Sequence, residues 1–207
     1  MFFVISVMKI AKEQLTYTPS YCEENVYKLL EYLREFGNLQ CGYVVFLSNV
    51  NKSIGLFAQV KGDPQMDHFI IWDYHVFLIY DDMSSYWVYD FDSLLPFPTP
   101  FVQYLTHGLR QNTVLPEELH RSYRVIHGVD YLNHFSSDRS HMQREDGSWI
   151  APPPTYECIR GQSSSSLHTL PFYWDMTSNI VENLSLTGSV YGTVLSESEF
   201  FKKFSGV

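Results

Sequence analysis

The feature that most constrains the fold is an amphipathic helix near the N-terminus, followed by a series of short apolar runs. The helix is predicted at residues 20–36, with Gly37 as its stop signal. Its apolar stripe consists of Val26, Leu29, Leu30 and Leu33. Strand-like runs then begin at Cys41, Ile54, Phe69 and Tyr86. One helix followed by neighbouring strands is typical of an α+β domain, so we expect the N-terminal helix to pack on an antiparallel β-sheet.

The chain length bounds the domain organisation. A chain of 207 residues is long enough for one well-buried domain, which we place at residues 19–207. Residues 1–18 are predicted to form a flexible polar leader, in which Met8 is an alternative start to Met1. The run GQSSSSLH has low complexity, which predicts a mobile insertion at residues 160–189.

Charge and cysteine content exclude some partners and favour one kind of compartment. The formal net charge of −9 argues against nucleic acid, because phosphates require a basic surface. The apolar run MFFVISVMKI is too short to span a membrane and lacks the features of a signal peptide. Three widely spaced cysteines favour a reducing compartment over a disulfide framework. We therefore expect a cytosolic or nuclear location and no membrane contact.

Cys22 is the first candidate for chemistry, because it falls at the start of the predicted helix. Ser20 and Glu23 form an S-x-x-E capping pattern, which places Cys22 at the second helical position and leaves Glu24 facing solvent. Unpaired N–H groups and the helix dipole at this end favour a thiolate. The alternative is that Cys22 is a small buried core residue, as free cysteines often are.

A predicted β-hairpin supplies the second part of the candidate site. If the loop between WDYHVFLIY and YWVYDFD is DDMS, Tyr80 lies opposite Ser85 and His75 lies opposite Asp90. Directly opposed residues have Cβ atoms about 4.5 to 5.5 Å apart, so the carboxylate can hold the imidazole ring. The same register places Asp73 opposite Asp92, on the face of His75. The alternative is a half-buried histidine with a structural partner.

A cysteine at a helix start, together with a histidine oriented by an aspartate, is the arrangement of nucleophilic acyl transfer. From the residues alone, a protease and a transglutaminase-like enzyme fit equally well, and a non-catalytic binding module stays open. The spacing of His68, Asp73 and His75 fits no familiar zinc pattern, so no metal site is predicted.

Several long strings identify a family. YCEEN, IWDYHV, YDFD followed by LLPFP, SSDRSHM, and a tryptophan followed by PPP occur in this order, and the chain resembles the protein N-terminal glutamine amidohydrolases from about Tyr17 to Cys158. The resemblance resumes weakly at YGTVLSESEFFKKF and departs from the family pattern between Arg160 and Ser189. These enzymes convert an N-terminal glutamine to glutamate within the N-degron pathway.

The resemblance implies further properties. It implies a papain- or transglutaminase-like α+β fold, a monomer without metal or cofactor, and a location in the cytosol and nucleus. It assigns the catalytic roles to Cys22, His75 and Asp90, the three residues that the helix and hairpin patterns select. Residues 19–207 are then a single catalytic domain.

The implied substrates are proteins or peptides with a free N-terminal glutamine, whose side-chain amide Cys22 attacks to form a thioester. Selectivity for a chain end requires a carboxylate that binds the α-ammonium group. Asp73 is the first candidate, because the hairpin places it near His75, and Asp138 is the second. Both also have a structural alternative, in which Asp73 braces a strand and Asp138 pairs with Arg139 or a backbone amide.

Overall fold

The computed structural model describes residues 10–35, 39–177, 184–185 and 188–205. The helices are α1 (Cys22–Glu35), α2 (Phe101–Tyr104, continued by a π-turn at Leu105–Leu109), α3 (Gly128–His134), α4 (Leu170–Trp174) and α5 (Glu197–Phe204). The strands are β1 (Gly42–Ser48), β2 (Ile54–Leu56), β3 (Ile70–Trp72), β4 (His75–Asp81), β5 (Tyr86–Tyr89), β6 (Thr99–Pro100), β7 (Ser122–His127), β8 (Leu184–Ser185), β9 (Gly188–Ser189) and β10 (Thr193–Leu195). The predicted α+β class with an antiparallel sheet is confirmed.

The main sheet has six strands in the order β10-β7-β1-β4-β5-β6, and every neighbouring pair is antiparallel. Helices cover both of its faces. Apolar residues of α1, α3 and α4 form one core with the first face, and those of α2 and α5 form a second core with the opposite face. The N-terminal helix therefore packs on the sheet as expected, over the central strand β4.

The predicted register of the hairpin between β4 and β5 is wrong by two residues. Tyr80 pairs with Trp87 rather than Ser85, because Asp81 still belongs to the ladder and pairs with Tyr86. The loop is residues 82–85, and the Asp82 carboxylate organises it by accepting the backbone N–H groups of residues 84 and 85. A shift of two residues keeps each side chain on its predicted face, whereas a shift of one would have reversed it.

The run FIIWDYHVFLIY is not one strand. It breaks at Asp73, whose carboxylate accepts the N–H of Tyr74, and β3 then pairs with β2 in a separate two-stranded sheet. Asp73 therefore precedes β4 and is not in a ladder opposite Asp92, so that part of the predicted register is also wrong. The break leaves His75 as the first residue of β4.

Part of the predicted leader contacts the body of the domain. The ring of Tyr17 stacks on Phe91 with centroids 5.8 Å apart, and Lys12 donates a hydrogen bond to the Phe91 carbonyl. Residues 1–9 lie outside the described part of the chain. Within the predicted insertion, Leu170 and Tyr173 are fully buried in the core that contains α1.

Among the described residues, no helix has the length and apolar character needed to cross a membrane.

Candidate active site

Cys22 is the first residue of α1, and the chain enters this helix differently from the prediction. Ser20 has a left-handed conformation (φ 70°), and its hydroxyl accepts a hydrogen bond of 2.6 Å from Lys61. The predicted Ser20–Glu23 capping pair is therefore wrong. Asn25 reaches back instead, because its side-chain amide accepts from the N–H of Thr18 and donates to the Thr18 carbonyl. The Tyr21 carbonyl accepts the N–H of Asn25, so the helical bonding begins there.

Both glutamates that follow Cys22 are fully buried. The prediction that Glu24 faces solvent is wrong, because Glu24 forms an ion pair with Arg139. Glu23 accepts a hydrogen bond of 3.0 Å from the Tyr74 hydroxyl, and the Cys22 thiol lies 3.7 Å from the same carboxylate oxygen. His141 Nε2 is 3.5 Å from the other oxygen of Glu23. A carboxylate therefore lies directly beside the candidate nucleophile.

His75 and Asp90 form a buried pair. His75 Nε2 lies 2.9 Å from Asp90 Oδ1, and the two side chains are almost completely inaccessible to solvent. The same carboxylate accepts hydrogen bonds from Gln59 (3.1 Å) and from Tyr104 (2.8 Å) at Oδ2. The ring of Trp72 stacks on the imidazole at 5.9 Å and 20°. These contacts fix the orientation of the ring and leave Nδ1 as the nitrogen that can exchange a proton.

The charges of the pair stabilise each other. Burial alone would lower the pKa of His75, but the charge and the hydrogen bond of Asp90, together with the charge of Asp92, outweigh it, and the net pKa is raised. Burial alone would raise the pKa of Asp90, but His75, together with the hydrogen bonds from Gln59 and Tyr104, lowers it. Asp90 is therefore a carboxylate at neutral pH, and His75 binds its proton more tightly than a free imidazole does.

A cavity of about 420 Å³ brings most of the predicted residues together. Its polar lining includes Ser20, Cys22, Asp73, His75, Asp92 and His141. Its apolar lining includes Trp72, Met142, Ile150 and Trp174. Of the predicted site residues, Cys22, His75 and Asp73 line the cavity, and the buried carboxylate of Asp90 lies behind His75.

Asp138 is not among the residues that line this cavity in the described part of the chain. Its carboxylate accepts hydrogen bonds from the hydroxyl and N–H of Ser140 and lies 3.1 Å from His168 Nδ1. His168 in turn stacks on His141, which is a lining residue. Asp138 is thus connected to the cavity through two histidine rings.

The thiol of Cys22 is protonated in the resting cavity. Burial raises the pKa of Cys22 well above its ordinary value, and the charges of Glu23, Asp92 and Asp73 raise it further, whereas a backbone hydrogen bond with Val76 opposes them. Burial and these charges oppose the stabilisation of a thiolate that was expected at the helix start. A base must remove the proton before the sulfur can act as a nucleophile.

Asp92 is the most informative residue that sequence reasoning did not select as a binding residue for the α-ammonium group of a substrate. Its side chain is buried, it lines the cavity, and its Oδ1 accepts a hydrogen bond of 2.7 Å from Tyr17. Burial raises the pKa of Asp92, which the positive charge of a protonated His75 opposes. The repeated aspartate in YDFD was the available signal, although both aspartates follow the end of β5 at Tyr89, where the N–H of Asp92 donates to the Asp90 carboxylate.

Among the described residues, His75, Asp90 and Asp92 also come closest to the geometry of a metal site, since their potential ligand atoms lie within 4.8 Å of one another. Four protein groups already donate to Asp90: His75, Gln59, Tyr104 and the N–H of Asp92. A cation at this place would have to displace some of these donors. The arrangement instead suits a carboxylate that orients an imidazole.

Comparisons with known proteins give one consistent result. A family model described as N-terminal glutamine amidase matches residues 17–204. The chain is 42% identical over 192 residues to the protein N-terminal glutamine amidohydrolase of Drosophila melanogaster. The aligned region covers 91% of this chain and 88% of the relative. It is 41% identical over 192 residues to the enzyme of the same name from Drosophila grimshawi, with the same coverage.

Proposed function

The chain belongs to the N-terminal glutamine amidase family, and on this basis we propose that it hydrolyses the side-chain amide of an N-terminal glutamine in peptides and proteins, releasing ammonia. The observation that carries the proposed mechanism is the cavity that Cys22 and His75 share, with the imidazole held by the buried carboxylate of Asp90. The substrate glutamine becomes glutamate, as in the N-degron pathway.

The first half of the reaction forms a thioester. His75 Nδ1 takes the proton of the Cys22 thiol, because the raised pKa of Cys22 prevents the thiol from ionising without a base. The thiolate forms a bond to the carboxamide carbon, whose oxygen becomes an oxyanion. His75 then gives its proton to the amide nitrogen, the carbon–nitrogen bond breaks, and ammonia leaves.

The second half hydrolyses the thioester. His75 takes a proton from a water molecule, whose oxygen bonds to the same carbon. The carbon–sulfur bond then breaks, the product glutamate leaves, and the Cys22 sulfur recovers its proton from His75. Asp90 stabilises the imidazolium ring in both halves, because its carboxylate accepts the hydrogen bond of the Nε2–H group throughout.

Two donors at the start of α1 are assigned to the oxyanion. The N–H of Cys22 has no acceptor within the helix, since the first N–H groups of a helix lack partners. The hydroxyl of Ser20 accepts from Lys61, so its own hydrogen is available, and the ammonium group makes it a stronger donor. Ser20 and Cys22 line the same cavity. This assignment supplies the second donor that the sequence left without a candidate.

The α-ammonium group of the substrate is assigned to carboxylates of the same cavity. Asp73, the first candidate from the sequence, is an exposed lining residue, and Asp92 is a buried one. A buried carboxylate attracts a cation more strongly than an exposed one, so we assign the closer contact to Asp92. Asp138 remains the alternative, through its connection to His168 and His141.

A cysteine at the first turn of a helix that packs on an antiparallel sheet bearing histidine and aspartate supports a papain- or transglutaminase-like arrangement. We further propose a monomer in the cytosol and nucleus that requires neither metal nor cofactor.

The decisive experiment measures ammonia and product mass for three matched peptides, beginning with glutamine, asparagine and acetylated glutamine. The expected result is ammonia from the free glutamine peptide alone, with a mass increase of about one dalton that corresponds to deamidation. Two shorter peptides would indicate a protease, and a mass gain equal to that of an added amine less one ammonia would indicate a transglutaminase. Turnover of the acetylated peptide would overturn recognition of the ammonium group.

A further inference from the structure

Two consecutive buried glutamates differ in the cations that face them. Glu23 and Glu24 are both completely buried at the start of α1. Glu24 pairs with the guanidinium of Arg139, which carries a permanent positive charge. Among the described residues, no lysine or arginine forms an ion pair with Glu23, and its basic neighbour is His141, whose Nε2 lies 3.5 Å away. The charge of Glu24 is therefore compensated by a permanent cation, whereas that of Glu23 is not.

The hydrogen bonds of Glu23 are also incomplete. Its Oε2 accepts from the Tyr74 hydroxyl at 3.0 Å and lies 3.7 Å from the Cys22 sulfur. Its Oε1 is buried and has no hydrogen-bond partner in the described part of the chain. A buried carboxylate with an unpaired oxygen and no permanent counter-charge lowers the stability of a fold. Costs of this kind are typical of functional sites, so Glu23 is a candidate for a role in the reaction.

Glu23 lies directly behind the place where the chemistry occurs. Its neighbours Cys22, Tyr74 and His141 line the cavity of about 420 Å³, which we call the catalytic cavity. Burial raises the pKa of Cys22 and the charge of Glu23 raises it further, so this charge acts on the atoms that line the cavity. A carbon that Cys22 attacks comes to about 3 to 3.5 Å from the sulfur. The carboxamide carbon of a bound glutamine therefore lies within about 7 Å of the Glu23 carboxylate.

The proposed reaction changes the charge at this place. The substrate side chain is a neutral carboxamide, whose N–H groups are donors and are compatible with a nearby anion. The product side chain is a carboxylate, which would place two negative charges within about 7 Å of each other and away from bulk water. Substrate and product carry the same α-ammonium group, which the proposed function assigns to Asp92 and Asp73. The ammonium group therefore does not offset the difference between them.

The other basic groups that line the catalytic cavity leave this repulsion in place. His75 is already paired with its own buried carboxylate. Lys52 is exposed, and its ammonium group lies over the ring of Trp174, 4.1 Å from the ring centre. Neither of them is an ion-pair partner of Glu23. A product carboxylate beside the sulfur would thus face an anion that lacks a permanent counter-charge.

We propose that Glu23 makes the site selective for glutamine over glutamate, because its buried charge repels the carboxylate of the product. This inference rests on the proposed function, since it concerns the release of the glutamate that the reaction forms. Repulsion between two charges at this distance corresponds to a difference in affinity of about tenfold to a hundredfold. The product therefore leaves once the thioester is hydrolysed, and polypeptides that already begin with glutamate do not compete for the site.

The test compares three peptides that differ in the first side chain alone: glutamine, glutamate, and the γ-methyl ester of glutamate, which is neutral. Calorimetry measures their binding to the full-length Cys22→Ala protein, in which turnover is absent. We expect similar Kd values for the glutamine and ester peptides, and a Kd about tenfold to a hundredfold higher for the glutamate peptide. Equal Kd values for all three would overturn the proposal. Absence of ammonia release from the glutamine peptide by the wild-type protein would instead reject the proposed function.

Two substitutions in the Cys22→Ala protein separate the charge of Glu23 from its shape. Glu23→Gln keeps the size of the side chain and removes the charge, whereas Glu23→Asp keeps the charge. We expect the ratio of the Kd for the glutamate peptide to that for the glutamine peptide to fall towards one in Glu23→Gln and to stay well above one in Glu23→Asp. An unchanged ratio in Glu23→Gln would overturn the proposal. The series of three peptides remains a test even where a Glu23 variant fails to fold.

Asp92→Asn, also in the Cys22→Ala protein, is the matched control. It removes a carboxylate that is assigned to the α-ammonium group, which both peptides carry. We therefore expect it to weaken the binding of the glutamate and glutamine peptides by a similar factor and to leave the ratio of their Kd values unchanged. A fall in this ratio as large as that in Glu23→Gln would assign the repulsion to the acidic lining as a whole and reject a specific role for Glu23.

Discussion

Arg139 donates two parallel hydrogen bonds to Glu24, at 2.9 Å and 2.8 Å, across 115 positions of the sequence. Glu24 is completely buried and the Arg139 side chain is almost so. Because Arg139 also donates to the carbonyls of Pro154 and Tyr156, the pair connects the second residue after the proposed nucleophile to residues 154–156. It also explains why Glu24 of YCEEN and Arg139 of SSDRSHM lie inside the protein rather than on its surface.

Removal of one partner of this pair is expected to destabilise the fold. Glu24→Gln leaves the buried guanidinium without a counter-charge, which costs about 3 to 5 kcal/mol of unfolding free energy. The measurement is chemical denaturation. The matched control is Glu31→Gln, because Glu31 pairs with Lys28 at the partly exposed surface of the same helix, where an ion pair contributes about 1 kcal/mol or less. Similar losses in the two variants would contradict a structural role for the buried pair.

Cys22→Ala is expected to abolish ammonia release, because no other group supplies the nucleophile. Intact-mass analysis of the wild-type enzyme, quenched in acid during turnover, is expected to reveal a γ-glutamyl adduct on Cys22. Cys158→Ser is the control, since this cysteine is exposed and is not a lining residue of the catalytic cavity. Full activity of Cys22→Ala would reject covalent catalysis.

Asp90→Asn is expected to lower kcat by about 10² to 10⁴ and to move the acidic limb of the pH profile. His75 accepts the thiol proton only in its neutral form, so activity falls as the pH decreases through its pKa. Asp90 raises the pKa of His75 against the effect of burial. The midpoint of the acidic limb in the wild type is therefore expected above the ordinary histidine pKa of about 6.5. Loss of the carboxylate lowers that pKa, so the limb moves to lower pH.

Tyr104→Phe is the matched control for this experiment, because it removes one hydrogen bond to Asp90 but keeps the charge. We expect a much smaller shift of the pH profile than in Asp90→Asn. A limb that stays in place in Asp90→Asn would show that the titrating base is not His75.

Asp92→Asn and Asp73→Asn are expected to raise KM for peptides with a free N-terminal glutamine, with the larger effect at Asp92. Loss of a charge-assisted hydrogen bond corresponds to an increase in KM of about tenfold to a hundredfold. Asp138→Asn is the comparison, measured with the same peptides. If Asp138→Asn alone raises KM, the ammonium group binds near Asp138 rather than at the two carboxylates of the cavity.

Ser20→Ala is expected to lower kcat by about a hundredfold with little change in KM, because an oxyanion donor acts mainly in the transition state. Ser20→Thr keeps a hydroxyl group and is expected to recover part of the activity. A change confined to KM would assign Ser20 to substrate binding instead.

The main elements of the fold could be predicted from local patterns. The helices α1 and α5 both follow from short-range spacing, since α5 begins with a capping box that Ser196 and Glu199 form three residues apart. The pairing of His75 with Asp90 was found although the register was wrong, because a slip of two residues preserves the alternation of faces.

The start of α1 could not be predicted, because its partners are distant in sequence. Ser20 binds Lys61 and Glu23 binds Tyr74, so neither is available for the local capping pattern. Glu24 was expected at the surface, since a charged side chain is rarely buried unless it is paired. Its partner Arg139 becomes apparent only when the tertiary structure is known.

The stacking of Trp72 on His75 gives the enzyme an intrinsic optical reporter. A protonated imidazole beside an indole ring quenches its fluorescence more strongly than a neutral one, and the positive charge also interacts with the face of the ring. Trp72 is one of four tryptophans, so its emission is isolated by comparison with a Trp72→Phe variant. The protonation state of His75 is therefore open to fluorescence titration in the resting protein, without substrate and independently of the reaction rate.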